Sequence, residues 1–407
     1  MVKRRFSALF LTLTLLLCTL PAAAAEGDDW LVPKVQEAPA FTDITGVWCE
    51  DAVQTVCQTG LMQGRSDGSF NPSGALTGAH IVTICARLYD LLTGGDGTLQ
   101  EPAADQAWYD PAYASLTSAF GLDDSQAEAL MDAYRPGQSP ALRRNLVLLL
   151  GWTLQAADIS LPAINQITMV PDCIEPTILS FYNAGVLTGS DQYGSFRGGE
   201  ILNRGQAAAI LARLADPAQR VAFSPAPFDL CADVLGLEAD SQAISIEYNG
   251  IAAELSTDIL APVLCDHLCR QFLNQFNHTP GGNDLDAVIA DTVITLKENV
   301  AVSRLADQMG ITVTDQEIAE VYGPIVSGYR GMTAAAQQWE YTCTLLKNKL
   351  QEAYAEILGN TAWGELDLND NLLEMMNEMT VLLAPEIQAL DLSSVQARLV
   401  DSPAMWG

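Results

Sequence analysis

The chain has 407 residues and carries 50 Asp and Glu against 20 Lys and Arg, which gives a formal net charge of −30 at pH 7. An acid excess of this size, with no basic stripe, repels phosphate backbones and anionic lipid, so the composition excludes nucleic acid as a partner. The length predicts two or three domains, and 49% of the residues are hydrophobic, enough to build sizeable cores.

The N-terminal residues predict a secretory signal peptide at positions 1–25. A basic region at Lys3–Arg5 precedes an uncharged apolar run at Phe6–Leu20, and small residues follow at Ala22–Ala25. The apolar run is shorter than the ~20 residues that span a bilayer, so we expect export and cleavage with no stable membrane span afterwards. Residues 26–40 are expected to form a short linker.

The cysteines show no C-x-x-C pair and no regular framework, although the chain contains nine of them. Most fall inside apolar helical patterns, where a free cysteine behaves as a small hydrophobe, so we predict buried free thiols. Cys265, His267 and Cys269 form the one metal-like cluster. On a helix His267 would project about 200° round from Cys265, so converging ligands, and hence a metal or cofactor, are not expected.

Three segments of the first half repeat, at residues 41–95, 104–158 and 165–216. Each repeat is predicted as helix, loop and helix, because apolar residues recur at helical spacing and glycine readily ends a helix. The positions that align are a helix-ending glycine (Gly60, Gly121 and Gly185) and a leucine before the second helix (Leu76, Leu142 and Leu202). The second repeat is the most degenerate of the three.

Local signals give the first repeat its detail. Asp67-Gly68 is a turn dipeptide in the loop, and Thr77 can cap the second helix. Trp48 precedes the first helix, and Trp108 is its counterpart in the second repeat. The third repeat has Cys173 near that place.

These repeats resemble the S-layer homology family over roughly residues 41–215. Members share a tryptophan-containing first helix, a glycine-rich loop and a T-R-A-E-like start to the second helix, usually three times over. The resemblance implies a mainly α fold, a pseudo-threefold bundle of the three repeats. It also implies that the grooves between repeats bind pyruvylated secondary cell-wall polysaccharide, and therefore a secreted protein at a bacterial cell wall or S-layer.

The resemblance also implies which residues bind. An arginine of the T-R-A-E-like motif would meet the ketal carboxylate with bidentate, charge-assisted bonds, and tryptophan would pack on a sugar face. Gly78 holds the arginine position in repeat one, Arg144 in repeat two and Arg204 in repeat three. The predicted ligand-binding residues are Trp48, Trp108, Arg144, Arg204, Thr77, Asp67 and Gly68. Core packing of Trp48 and a surface ion pair of Arg204 are the alternative interpretations.

The second half has a different character. Proline-rich residues 217–243 are predicted as a linker, residues 244–250 alternate like a short strand, and the rest of 244–407 is predicted as a helical domain. The predicted helices are Leu255–Phe276, Ala287–Met309, one that starts at the capping box Thr314–Glu317, Ala334–Leu358, Asn371–Leu383 and Ser393–Val400.

Residues Ala301–Ile318 resemble a hallmark of SurA-like chaperones, in which a long helix is followed by G-I-x-V-T-D-x-E-I. The resemblance covers about residues 244–360 and implies an all-helical cradle that holds unfolded secreted polypeptides. No parvulin-type prolyl isomerase domain is evident after these helices, so we expect no enzyme. The alternatives are a purely structural envelope protein, or a prolyl isomerase relative with no recognisable catalytic domain.

Overall fold

A computed structural model describes residues 31–134, 140–277 and 283–405, so the predicted signal peptide lies outside the described residues. The chain divides into two compact units between Pro225 and Ala226. Both are mainly helical, which confirms the predicted fold class. Within the described ranges no helix is long and apolar enough to cross a bilayer.

The first unit contains the repeats. Its helices are α1 (Glu50–Gln58), α2 (Gly78–Leu92), α3 (Asp110–Ala119), α4 (Asp124–Ala133), α5 (Arg143–Ala156), α6 (Pro176–Asn183) and α7 (Arg204–Ala215). The predicted helix pairs are α1 with α2, α3 with α5, and α6 with α7. The additional helix α4 was not predicted, although Asp123 and Gln126 form a capping box at its start.

The helices pack across repeats. Helix α1 lies against α7, α3 against α2, and α6 against α5, so the first helix of each repeat packs on the second helix of the preceding one. This cyclic order closes the three repeats into a ring, the pseudo-threefold arrangement that the repeats predict. The shared core is apolar, with Leu61, Leu116, Leu149 and Phe181 among its buried side chains.

A ring of three backbone hydrogen bonds joins the repeats at their centre. The Leu76 amide donates to the Leu202 carbonyl at 3.0 Å, and the Leu202 amide donates to the Ala141 carbonyl at 2.8 Å. The Ala141 amide completes the ring by donating to the Leu76 carbonyl at 2.7 Å. Each repeat therefore gives one donor and one acceptor, which satisfies buried main-chain groups without a sheet.

This ring corrects the register of the degenerate repeat. Ala141, and not Leu142, occupies the place of Leu76, because Leu142 is the N-cap residue of α5. The first helical residues of α2, α5 and α7 are Gly78, Arg143 and Arg204. The motif position of the second repeat is therefore Arg143, one residue before the predicted Arg144. Ala141 and Leu142 are both apolar, so the sequence alone fits either register.

The second unit combines helices with one small antiparallel sheet of order β2-β1-β3. Its elements are a π-helix (Leu230–Leu235), β1 (Gln242–Tyr248), β2 (Ile251–Ser256), α8 (Thr257–Phe276), α9 (Val288–Met309), α10 (Asp315–Tyr322), α11 (Ala334–Leu358), α12 (Thr361–Glu378), β3 (Thr380–Leu383), α13 (Pro385–Gln388) and α14 (Leu392–Val400). Asn249 and Gly250 both have positive φ and form the tight turn between β1 and β2.

The sheet is the main difference from the expected all-helical domain. Strand β3 forms where a helix was predicted to continue to Leu383, because it pairs with β1 from a distant part of the sequence and helps cover Ile244 and Ile246. Strand β2 was missed although Asn249-Gly250 is a hairpin signal. Residues 217–243, predicted as a linker, contain a 3-10 turn, the π-helix and the start of β1.

Several local predictions are confirmed in this unit. Helix α11 has its predicted bounds, and α8 and α9 start within two residues of theirs. Thr314 caps α10 through a box with Glu317, and Gly310 ends α9 in the left-handed conformation. Each cysteine of the described residues is a free thiol, and most are buried, as predicted.

The close contact at the start of α2 can be tested with Gly78→Ala. A Cβ there would lie 2.2 Å from the Tyr134 carbonyl oxygen, which is backbone and cannot yield cheaply. We expect the free energy of unfolding to fall by about 2 kcal/mol or more, measured by urea unfolding of the full chain. Gly199→Ala is the control, because nothing lies within 4 Å of its added Cβ. Equal stability of the two variants would contradict the packing described here.

Candidate functional site

The ring of repeats produces three grooves, each between the start of a second helix and the loop of the neighbouring repeat. Groove one lies between the start of α7 and the loop at residues 63–74. Groove two lies between the start of α2 and Tyr134. Groove three lies between the start of α5 and the loop at residues 186–200. In grooves one and three the first helical amide donates to the facing loop, from Arg204 to Gly74 and from Arg143 to Glu200.

Groove one holds an arginine on backbone carbonyls. Nε of Arg204 donates to the Phe70 carbonyl at 2.7 Å, and Nη2 donates to the Gln63 carbonyl at 2.6 Å. The guanidinium carbon lies 4.4 Å from the centre of the Phe70 ring, a cation–π contact. Burial lowers the pKa of Arg204. Among the described residues Arg204 makes no ion pair, so the alternative of a surface ion pair does not hold.

Trp48 lies beside the same helix start. Its neighbour Cys49 places a sulfur 3.1 Å from where a Cβ on Gly205 would be, so α1 meets α7 closely at this point. The Trp48 side chain is 69% exposed, so it is not packed in the core. Groove one therefore combines a guanidinium with no carboxylate partner and an exposed indole.

An aspartate missed by sequence reasoning shapes the loop of groove one. The Asp43 carboxylate accepts from the Phe70 amide at 2.9 Å and from the Asn71 amide at 2.6 Å. These bonds lower the pKa of Asp43. They also hold Asn71 at a φ of 57°, a left-handed conformation that asparagine tolerates. The carbonyl that accepts from Arg204 is thereby fixed in place.

The third repeat uses the same device. Asp172 accepts from the Phe196 and Arg197 amides at 2.7 Å each. Here burial outweighs the hydrogen bonds and raises the pKa of Asp172. The signal was present in sequence, because Asp43 and Asp172 stand at similar distances before the aromatic of each loop.

The other predicted residues of the first repeat have structural positions. Asp67 accepts from the Ser69 amide at 3.0 Å and from its hydroxyl at 2.6 Å, and Gly68 has a φ of 79°, so both form the turn of the groove-one loop. Thr77 is the N-cap residue of α2, as predicted, and its amide donates to Nδ1 of His80 at 3.1 Å. That position belongs to groove two, so Thr77 does not join Asp67 and Gly68.

Among the residues that the structure describes, groove two has an aromatic platform and no arginine at the motif position. Trp108 is 54% exposed, and its ring centre lies 5.4 Å from that of His80, whose pKa burial lowers. Gly78 stands where the arginine would be, and the Tyr134 backbone fills the space of its side chain. The Tyr113 hydroxyl donates to the Tyr134 carbonyl. This bond replaces the one that an arginine makes in the other grooves.

Groove three contains an arginine that is already neutralised. Arg143 donates through Nη1 to the Ser190 hydroxyl at 2.7 Å and to the Phe196 carbonyl at 2.6 Å. Its Nη2 pairs with Glu200 at 2.9 Å, and its side chain is only 11% exposed. Cys173 stands near the tryptophan position. Groove three therefore has Arg143 neutralised by Glu200 and Cys173 in place of an indole, while the exposed Arg144 lies beside the same loop.

Arg144 follows the motif position and has a different role. Its amide donates to the Gly198 carbonyl at 3.1 Å, and its charge lies near the Cys173 thiol, on whose pKa it has a small lowering effect. The structure thus brings Arg204 to the loop that contains the turn Asp67-Gly68, with Trp48 beside the same helix start. Thr77 and Trp108 both contact His80, whose pKa is lowered by burial and also by the charge of Arg204. Arg144 lies at the loop of groove three.

The side chains of Cys265, His267 and Cys269 in the second unit do not converge on one point. Nε2 of His267 lies 3.1 Å from the Thr295 hydroxyl, whereas the Cys269 sulfur faces Met405. Across the described ranges no group of three or more His, Cys, Asp or Glu residues is placed to hold a metal ion.

Comparison with known proteins gives a family match for the first repeat. Residues 40–81 match the family model described as the S-layer homology domain, a stretch that includes Asp43, Trp48 and the turn Asp67-Gly68. The chain therefore carries an S-layer homology domain in its first repeat. The Surface-layer 125 kDa protein of Lysinibacillus sphaericus is 33% identical over 96 residues, which is 23% of this chain and 8% of that relative. The chain thus spans a small part of the relative's length.

The role of Asp43 can be tested by Asp43→Asn with amide hydrogen exchange. Loss of the charged acceptor should speed exchange at Phe70 and Asn71, since their shared carboxylate fixes the loop. Asp67→Asn is the control, because Asp67 bonds to Ser69 and pairs with Arg65 and does not accept from the Phe70 or Asn71 amides. In the unsubstituted chain, protection should be complete above the ordinary aspartate pKa and should be lost as the pH falls through the lowered pKa of Asp43. Protection unchanged in Asp43→Asn would contradict this assignment.

Proposed function

We propose that this chain is a secreted bacterial cell-surface protein that groove one attaches non-covalently to secondary cell-wall polysaccharide. The observation that carries the proposal is the pairing of Arg204, held on two carbonyls without an acidic partner, with the exposed indole of Trp48. The S-layer homology match over the same repeat supports it. The name of the surface-layer relative supports a location in the bacterial envelope.

The chemistry of groove one suits a carboxylate on a sugar. Two N–H groups of Arg204 are used on the Phe70 and Gln63 carbonyls, which fixes the guanidinium plane. The remaining donors can form charge-assisted bonds to a ligand carboxylate such as a pyruvate ketal. Because the guanidinium is already oriented, little side-chain entropy is lost on binding. Trp48 then offers a flat apolar surface to the sugar ring.

The other two grooves support a single strong site per chain. Groove two offers Trp108 for stacking, and its motif position carries no guanidinium, because Gly78 has no room for a side chain. Groove three offers Arg143, whose charge Glu200 already neutralises, and a ligand carboxylate would have to displace that partner. We therefore assign charge recognition to Arg204 of groove one, whereas the sequence alone predicts that Arg204 and Arg144 share it.

The attachment is tested by sedimentation of the full chain with purified wall sacculi. Trp48→Ala should weaken binding by about tenfold, because it removes the sugar-stacking surface without touching the core. Arg204→Ala should weaken binding at least as much. Trp108→Ala is the matched control, since it removes an equally exposed tryptophan from the groove whose motif position holds Gly78 instead of an arginine, and it should change binding little.

Two outcomes would contradict this proposal. Binding that persists after the secondary polysaccharide is stripped from the sacculi would show a different wall ligand. Equal losses in Trp48→Ala and Trp108→Ala would show that the guanidinium does not select the groove.

For the second unit we propose binding of unfolded or extracellular polypeptides. Apolar side chains lie exposed along the α11–α12 hairpin and the adjoining β3: Ile357, Leu358, Trp363, Leu366, Leu373 and Leu382. No Lys, Arg or His occurs between residues 350 and 397, so this surface is acidic between its apolar side chains. Exposed apolar surface of this kind is typical of interaction sites. The resemblance of residues 244–360 to SurA-like chaperones is a second support, and this interpretation assigns the unit no catalytic step.

Suppression of aggregation tests the polypeptide-binding proposal. The full chain, in stoichiometric excess, should reduce light scattering of a chemically unfolded client, and Trp363→Ala with Leu366→Ala should lose much of that effect. Ile294→Ala is the control, because Ile294 is 53% exposed on a different helix. No suppression by the unsubstituted chain would favour a purely structural role for this unit.

A further inference from the structure

A cleft of about 180 Å³ opens on the second unit between β2, α9 and α11. Its apolar floor includes Leu255 of β2 and Val300 of α9, which are 8% and 5% exposed. The cleft is smaller than the sites that hold drug-sized ligands, so it suits a ligand of a single ring. It contains no residue of the three grooves of the first unit.

One wall of the cleft is a polar face of α9. Asn299, Ser303, Arg304 and Asp307 line it, and their spacing places them on one side of the helix. Within the described residues, none of these four side chains makes a hydrogen bond or an ion pair. The Asp307 side chain is exposed and the other three are half-buried, so all four keep hydrogen-bonding capacity that a bound ligand can use.

Arg304 is the informative member of this face. Two neighbouring cations of the unit are paired, Lys347 with Glu298 at 2.5 Å and Lys349 with Glu317 at 2.5 Å. Lys297 on the same helix has no ion pair among the described residues, but it does not line the cleft. Arg304 has no such partner in a chain with a net charge of −30, although acidic residues are abundant. The Arg304 side chain is half-buried at the edge of the apolar cleft, where its guanidinium can pair with a ligand carboxylate.

The opposite wall contributes an indole. Trp339 of α11 lines the cleft and is half-buried, and its ring packs on no other aromatic ring of the described residues. A flat indole beside hydroxyl-binding groups is suited to the apolar face of a sugar ring. Asn299 and Ser303 can donate to and accept from ligand hydroxyls, and Asp307 can accept from them.

We propose that this cleft binds an acidic monosaccharide unit of the uronic-acid class. Its carboxylate would pair with Arg304, its apolar face would stack on Trp339, and its hydroxyls would bond to Asn299, Ser303 and Asp307. This is a second saccharide site, on a different unit from groove one, and it does not rest on the wall attachment proposed above.

Isothermal titration calorimetry of the full chain with glucuronate and galacturonate tests the site. At least one uronate should bind saturably, and glucose should bind about tenfold more weakly or not at all. Arg304→Gln and Trp339→Ala should each lower the uronate affinity about tenfold. Arg304→Lys, which keeps the charge and loses the planar fork, should fall between Arg304→Gln and the unsubstituted chain.

The controls separate this site from other surfaces. Trp363→Ala removes an exposed tryptophan and Arg270→Gln an exposed arginine of the same unit, and both should leave uronate affinity unchanged. Trp48→Ala should also leave it unchanged, whereas it lowers wall binding, so the two proposals can fail separately. Circular dichroism verifies that each variant is folded.

The proposal would be overturned if neither uronate binds, or if glucose binds as tightly as a uronate. It would be overturned as well if Arg304→Gln and Trp339→Ala bind the uronate like the unsubstituted chain. Displacement of the uronate by an equal concentration of acetate would also overturn it, because it would reduce the site to a simple anion contact.

Discussion

The first unit depends on the ring of backbone hydrogen bonds among Leu76, Ala141 and Leu202. Each of these residues stands immediately before the N-cap of a second helix, so the ring sets where α2, α5 and α7 begin. The first helical residue of each then points at the loop of a neighbouring repeat. A short main-chain contact at the centre thereby determines which side chain every groove receives.

The three grooves share this backbone arrangement and differ in only a few side chains. All three use a loop carbonyl as an acceptor, but the donor is Arg204 in groove one, the Tyr113 hydroxyl in groove two and Arg143 in groove three. Glu200 then neutralises Arg143. Because a buried charge needs a partner, an internal carboxylate and a ligand carboxylate are alternatives at the same guanidinium. In groove one no carboxylate of the described residues pairs with the guanidinium.

The second unit presents two surfaces of different chemistry. The α11–α12 hairpin exposes apolar side chains among acidic ones, which suits extended contact with polypeptide. The cleft beside Trp339 is small and concave and contains Arg304 without a partner. The same helix α9 serves both core and cleft, since its apolar residues pack inward and Asn299, Ser303 and Arg304 line its other side.

The sequence by itself determined what local chemistry controls: the repeat pattern, the helix class, the caps at Thr77 and Thr314, the ends at Gly60 and Gly310, and Arg204 as the residue to examine. Only the tertiary structure decided the register of the second repeat and the formation of strand β3. It also decided that Glu200 forms an ion pair with Arg143 and that Arg304 has no ion pair among the described residues. These features depend on residues that are distant in sequence. Arg143 and Glu200, for example, are 57 positions apart. Periodicity reports which face of a helix is buried, and contacts of this kind exist only once the helices have packed.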